Sequence, residues 1–131
     1  MSDRPQRSTI LLVEDEPLLA MDVERLLGEV GFHVMGPVTT ISRAIRSIEA
    51  ERPSLTVVDL NLGGEMVFPL LDILADRAIP FVIVTGHSIE MVPSRHRHRP
   101  FLQKPYEPAA LLRFVYQILS GGGDRQLLQR A

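Results

Sequence analysis

Three carboxylates stand in a row at Glu14, Asp15 and Glu16, straight after the apolar run Thr9 to Val13 and before Pro17. Like charges this close raise one another's pKa, so the arrangement is unfavourable until a cation meets it. Three further apolar runs end abruptly in polar groups: Leu55 to Val58 before Asp59, Phe81 to Val84 before Thr85 and Gly86, and Phe101-Leu102 before Gln103 and Lys104. An acid, a hydroxyl and an ammonium are the parts that phosphoryl transfer uses, because that chemistry is mostly positioning and charge neutralisation. Asp59 would be its nucleophile, forming an acyl phosphate, with Lys104 as a fixed positive charge and Thr85 as a hydroxyl donor. Acids gathered from Glu14, Asp15 and Asp59 call for a hard divalent cation. A sparse oxygen set with room for waters and a phosphate suits Mg2+ better than an all-protein cage would.

These groups meet only if their runs are neighbouring strands. The runs are short and rich in β-branched residues, as buried strands are. A weaker fifth, Phe32 to Val38, is interrupted by Gly36 and Pro37 and belongs at or near a sheet edge. Between them lie stripes of helical period. Leu19, Val23, Leu26, Leu27 and Val30 form one, opened by Pro17 and closed by Gly31; Ile41, Ala44, Ile45 and Ile48 form another, stopped by Pro53. Leu71, Leu74, Ala75 and Ala78 follow Gly63-Gly64 and Pro69, and Leu111, Leu112, Val115 and Leu119 follow Pro108. Strand and helix alternate, which predicts an α/β protein: a doubly wound five-stranded parallel sheet joined by right-handed crossovers. In the flavodoxin-like (βα)5 order 2-1-3-4-5, strands one, three and four are adjacent, and their polar ends converge on one pocket at the carboxyl edge.

One crossover is irregular. From Gly86 to Pro100 only Ile89, Met91 and Val92 are apolar, Pro93 cuts the segment, and Arg95 to Arg99 reads RHRHR. The fourth helix is therefore expected to be short, distorted or mobile. Arginines between the two histidines repel a cation, which argues against zinc. A solvated loop is the simpler reading of this run, and a docking patch for an acidic partner is the next.

Bulk composition narrows the classes. A chain of 131 residues with 45% hydrophobic content fits one domain with a sizeable core. With 14 Lys+Arg against 16 Asp+Glu there is no global basic field for nucleic acid or an anionic membrane. The absence of cysteine excludes disulfides and thiolate chemistry and sits easily with a reducing compartment. No apolar run approaches the ~20 residues of a membrane span, and a cytoplasmic protein is expected. Residues 1–7 read as a disordered N-terminus, 8–120 as the folded domain and 121–131, after Gly121-Gly122-Gly123, as a flexible tail.

Over roughly Ser8 to Ser120 the chain resembles the response-regulator receiver domains of two-component signalling. LLVEDEP, VVDLNL, VIVTG and LQKP carry the resemblance, in order and each at the end of a strand. It implies that Asp59 accepts a phosphoryl group from a phosphohistidine on a sensor histidine kinase or histidine phosphotransfer protein. It also implies that Asp15 and Asp59 ligate Mg2+ by side chain, Asn61 by its backbone carbonyl and Glu14 through water. Thr85 and Lys104 would contact the phosphoryl oxygens, and Lys104-Pro105 would be cis. Signalling would pass to a downstream protein target by contact, without direct nucleic-acid binding. A homodimer through the face of the fourth helix, fifth strand and fifth helix is compatible with the family pattern. The chain departs from the pattern in LNLGGEM after Asp59, where Gly63-Gly64 implies a more flexible loop. Phe101 stands at the aromatic switch position often held by Tyr, so no phenol hydroxyl is available to partner Thr85.

Blander readings remain for single residues. Glu16 reads as an acid favouring a helix start, worth ~0.3–1 kcal/mol, and Lys104 alone could be surface charge. Two other function classes stand beside the receiver: a degenerate receiver that binds without phosphorylation, and an aspartyl-phosphate phosphatase. The phosphatases need Asp-x-Asp, whereas Asp59-Leu60-Asn61 has Asn at the second acid. No separate substrate turnover is expected, and no Gly-rich phosphate loop follows strand one to suggest a nucleotide module.

Overall fold

The computed structural model describes residues 8–121. The expected disordered N-terminus, and the expected flexible tail from residue 122 on, lie outside them. Five strands form one parallel sheet: β1 (Thr9–Val13), β2 (His33–Val38), β3 (Leu55–Asp59), β6 (Phe81–Thr85) and β7 (Phe101–Gln103). Their order is β2-β1-β3-β6-β7. Counting only these five, that is the 2-1-3-4-5 arrangement read from the sequence. A small antiparallel pair, β4 (Asn61–Leu62) and β5 (Glu65–Met66), follows β3 directly.

The β3 and β6 strands are buried along their whole length, as strands covered on both faces must be. Alternate residues feed two cores. Leu11, Val13, Val58, Phe81 and Ile83 pack toward α2 (Ile41–Ala50) and α3 (Phe68–Asp76). Ile10, Leu12, Val57, Val82 and Val84 pack toward α1 (Pro17–Glu29) and α4 (Pro108–Leu119). Each helix buries the stripe that period 3.6 assigns to it: Ala20, Val23 and Leu27 in α1, Ala44 and Ile48 in α2, Leu70, Leu71 and Leu74 in α3, Leu111 and Val115 in α4. Two stripe members fall outside. Val30 is exposed at the C-terminal cap of α1, and Ala78 lies beyond α3 with φ 56°.

The interrupted strand β2 lies at the sheet edge, where Pro37, lacking an N–H, removes no ladder bond from a neighbour beyond it. Its register against β1 shifts between Leu11 and Val13, and the Gly36-Pro37 bond is cis. Gly36 has φ +96°, and a Cβ there would lie 2.8 Å from Leu12 O and from Val38 N, so only glycine fits.

Between β6 and β7 no α-helix forms among the described residues. The crossover is two short 3-10 turns, Ile89–Met91 and Ser94–His96. This agrees with a short, distorted fourth element, and it means that the face expected from a fourth helix has a different make-up. RHRHR is for the most part the solvated loop read from the sequence, with Arg95, Arg97 and His98 exposed, but His96 is buried. Asp72 on α3 takes a bidentate pair from Arg95 (2.8 and 2.9 Å) and binds Nε2 of the buried His96 at 2.7 Å. Arg97 donates to the carbonyls of Val92 (2.8 Å) and Glu90 (3.0 Å), and the Arg99 guanidinium sits 4.7 Å from the Phe81 ring centroid. The run is thus anchored through His96 and Asp72 while Arg95, Arg97 and His98 stay exposed to water.

Candidate phosphoryl-accepting site

The strand ends deliver the sequence-predicted groups to one place. Leu60 N–H donates to Val84 O at 3.0 Å, and Lys104 N–H donates to Thr85 O at 2.7 Å, so parallel pairing alone brings Asp59, Thr85 and Lys104 to adjacent positions on the carboxyl edge. Glu14 and Asp15 follow β1, next to β3 in the sheet. Ligand oxygens of Glu14, Asp15 and Asp59 all lie within 4.8 Å of one another. A cavity of about 300 Å3 opens over Asp15 and Asp59, lined also by Glu16, Asn61, Gly63, Gly64, Thr85, Gly86, His87 and Lys104.

Lys104 Nζ is the hub. It lies 2.9 Å from Asp59 Oδ2, 3.2 Å from Glu14 Oε1 and 2.7 Å from Glu16 Oε2. Burial alone would lower the ammonium's pKa, but hydrogen bonds to Glu16 and Asp59, with the charges of Asp59 and Glu14, outweigh it and hold the group well above its ordinary value. Glu14 moves the opposite way. Burial pushes its carboxyl up to about 7; the Asp59 charge adds to the rise, while the Glu16 backbone N–H and Lys104 oppose it. Tyr106, beside the pocket, is pushed up to about 12 by burial and by the Glu14 charge. The pocket holds more negative charge than one lysine neutralises, and a hard divalent cation answers that excess. Three carboxylates at this spacing, with a cavity for water, fit Mg2+ as their donor chemistry predicted. Asp15, Asp59 and Glu14 would hold it, with Asn61 at the base of the hairpin.

Backbone donors set the carboxylates. Asn61 N–H donates to Asp59 Oδ1 (3.1 Å), Glu16 N–H to Glu14 Oε2 (3.1 Å) and Gly63 N–H to Asp15 Oδ2 (2.7 Å). Gly63 and Gly64 have φ of 57° and 89° and form the turn of the β4–β5 hairpin. Gly64 N–H donates to Asn61 Oδ1 at 2.8 Å across this turn. Thr85 is fully buried, and its Oγ1 accepts from His87 N–H at 3.1 Å. Phe101 does not line the acidic pocket. It pairs in register with Ile83, two residues before Thr85, and lines a separate cleft of about 530 Å3 with Ile89, Pro100 and Phe114. The Lys104-Pro105 bond is cis, as the resemblance implied.

Sequence reasoning missed two contributors. Glu16 reaches Lys104 rather than merely opening α1, and Gly63 orients Asp15. The first had a signal: in extended chain, residues two apart point to one side, so Glu14 and Glu16 share a direction. The second had none beyond the two glycines.

The response regulator receiver domain model matches residues 10–116. The chain is 32% identical over 114 residues to the phyllosphere-induced regulator PhyR of Methylorubrum extorquens, covering 84% of this chain and 43% of that protein. It is 29% identical over 120 residues to the nitrate/nitrite response regulator protein NarL of Escherichia coli, covering 87% and 56%. The chain thus spans about half the length of these curated relatives. The solution structure of SdrG from Sphingomonas melonis superposes with a TM-score of 0.75 at 39% identity, over 86% of this chain and 97% of that one. The response regulator PhyR from Brucella abortus does so with a TM-score of 0.76 at 30% identity, over 95% and 52%. Matched over most of its length and carrying the acidic pocket, the threonine and the lysine at its strand ends, the chain belongs to the response regulator receiver domain family.

Proposed function

We propose that this receiver is a phosphorylation-controlled switch. Asp59 takes a phosphoryl group from a phosphohistidine of a sensor histidine kinase or phosphotransfer protein, and the new state is passed on by protein contact. The observation that carries the reading is Asp59 Oδ2 held 2.9 Å from Lys104 Nζ inside a cluster of three carboxylates. An Asp59 carboxylate oxygen attacks phosphorus; the P–N bond breaks, and the imidazole nitrogen keeps the electron pair and takes up a proton. Mg2+, when bound, neutralises charge on the acids and on the transferring oxygens. Lys104 then pairs with a phosphoryl oxygen, and Thr85 turns its hydroxyl from the His87 amide toward another. Hydrolysis of the acyl phosphate resets the switch, and no separate substrate is turned over.

The supports differ in kind. SdrG has been solved in a conformation described as BeF3-activated, and PhyR from Bartonella quintana is described as an anti-anti-sigma factor. Those descriptions belong to those proteins; an output by protein contact is in keeping with them. No helix among the described residues is long and apolar enough to cross a membrane, and a cytoplasmic location goes with a cytoplasmic phosphoryl donor.

The test is intact-mass measurement after incubation with Mg2+ and either acetyl phosphate or a phosphorylated histidine kinase. Wild type is expected to gain one phosphoryl mass, and Asp59→Asn none. Asp15→Ala abolishes labelling by loss of metal, while Lys104→Ala impairs signalling more than metal binding. A wild type that gains no mass with either donor sinks the reading in favour of a binding module that works unphosphorylated. Turnover of a generic phosphate ester would favour a phosphatase instead.

A further inference from the structure

The three carboxylates around Lys104 are not alike. Asp59 and Glu14, at 2.9 and 3.2 Å, are buried, whereas Glu16 makes the shortest contact, 2.7 Å, with a side chain that is 60% exposed. Asp59 and Glu14 also belong to the cluster whose oxygens a cation would use, and Glu16 does not. Glu16 is the N-cap residue of α1, yet its side chain makes no capping hydrogen bond. A carboxylate at that position ordinarily serves its own helix's N–H groups; this one turns away to an ammonium from the far end of the chain.

An ammonium has three donors, and its attraction to carboxylates strengthens as the surroundings dry. Left with only Glu14 and Asp59, Lys104 would sit tighter on the two buried acids it already touches and compete more strongly with a cation for their oxygens. Glu16 draws it toward the mouth. We propose that Glu16 is a positioning residue for Lys104: as the third carboxylate on the ammonium it draws it toward the pocket mouth and loosens its hold on Asp59 and Glu14, at 2.9 and 3.2 Å, and so sets how tightly Mg2+ is held and how Lys104 meets an incoming phosphoryl oxygen. This inference rests on the reading of the site given above and names a residue that tunes it.

The experiment uses the full chain carrying Glu16→Gln, Glu16→Asp, Lys104→Met, or Glu16→Gln with Lys104→Met. It has two readouts: Mg2+ affinity by NMR titration with magnesium chloride, and hydrogen exchange of the Lys104 ammonium protons in metal-free protein. Glu16→Gln is expected to raise the Mg2+ Kd about 3- to 10-fold and to speed ammonium exchange, but to change the Kd less than about twofold once Lys104 is Met. Glu16→Asp, which keeps the charge on an arm one methylene shorter, should group with Glu16→Gln. Equal loss of affinity in both Lys104 backgrounds, or a Glu16→Asp that matches wild type, would mean that Glu16 acts as a charge alone and overturns the proposal. Unchanged ammonium exchange overturns it as well. Should Lys104→Met not fold, the exchange rates of the two Glu16 variants decide. Because that readout needs no metal, a wild type that fails to bind Mg2+ or to gain phosphoryl mass condemns the site reading and leaves the tether separately measurable.

Discussion

Glu14 is where pH and metal meet. Its ordinary pKa of 4.5 is pushed up to about 7 in the fold, chiefly by burial. The folded state therefore binds this proton more tightly than the unfolded chain does. The resulting stability is fully present below 4.5 and lost as pH rises through about 7. Metal-free protein is expected to lose thermal stability over that window, Glu14→Gln to flatten the profile, and Mg2+ to raise the high-pH end; melting curves with chelator and with Mg2+ check all three. At this scale the sequence was readable wherever an apolar run stopped at a chemical group: Glu14, Asp15, Asp59, Thr85 and Lys104. Glu16 was masked, because an acid before a first-turn proline carries the signature of a helix start whether or not its side chain serves the helix, and only its place two residues beyond Glu14 pointed to the pocket.

Among the elements, the segment between β6 and β7 shows what sequence conceals. RHRHR has the composition of a solvated loop, and its anchor, Asp72, lies more than twenty residues away on α3, so nothing local announces the pairing. The clamp has a pH signature of the opposite sense to that of Glu14. Hydrogen bonds from Arg95 and then His96 hold the Asp72 carboxyl down to about 2 from its usual 3.8. The stability this contributes is present above 3.8 and lost as pH falls through about 2. Asp72→Ala should destabilise by about 1–2 kcal/mol at neutral pH, mostly by leaving the buried His96 ring without its partner, since the Arg95 pair is exposed and worth little. The part of the deficit that depends on the Asp72 charge should shrink as pH falls from 3.8 through about 2; urea unfolding across pH measures it. The helices and parallel strands, by contrast, were legible because their periods follow from burial alone, and the strays, Val30 at the α1 cap and Ala78 past α3, lie at helix ends.

Taken whole, alternation of strand and helix made the parallel sheet legible, while its order, and with it the meeting of the site, came with the flavodoxin-like arrangement taken for it. What lay beyond the sequence was surface. The first turns of α1 leave Leu18 and Met21 77% and 62% exposed, immediately after Glu16 at the pocket mouth. A protein that brings its phosphohistidine to Asp59 must cover this rim. Leu18→Ser with Met21→Ser should slow phosphorylation by a kinase or phosphotransfer protein about tenfold or more, the cost of one or two interface anchors. Labelling by acetyl phosphate should stay within about twofold, since that donor needs no rim; parallel time courses with the two donors settle it. The other boundary of the molecule is the strand β2. With Pro37 offering no donor and Gly36 closed in against Leu12, its outer side is a poor template for an added strand. That edge of the sheet is thereby a poor seed for growth from one molecule into the next, which leaves β7 as the edge where an added strand would find its donors and acceptors.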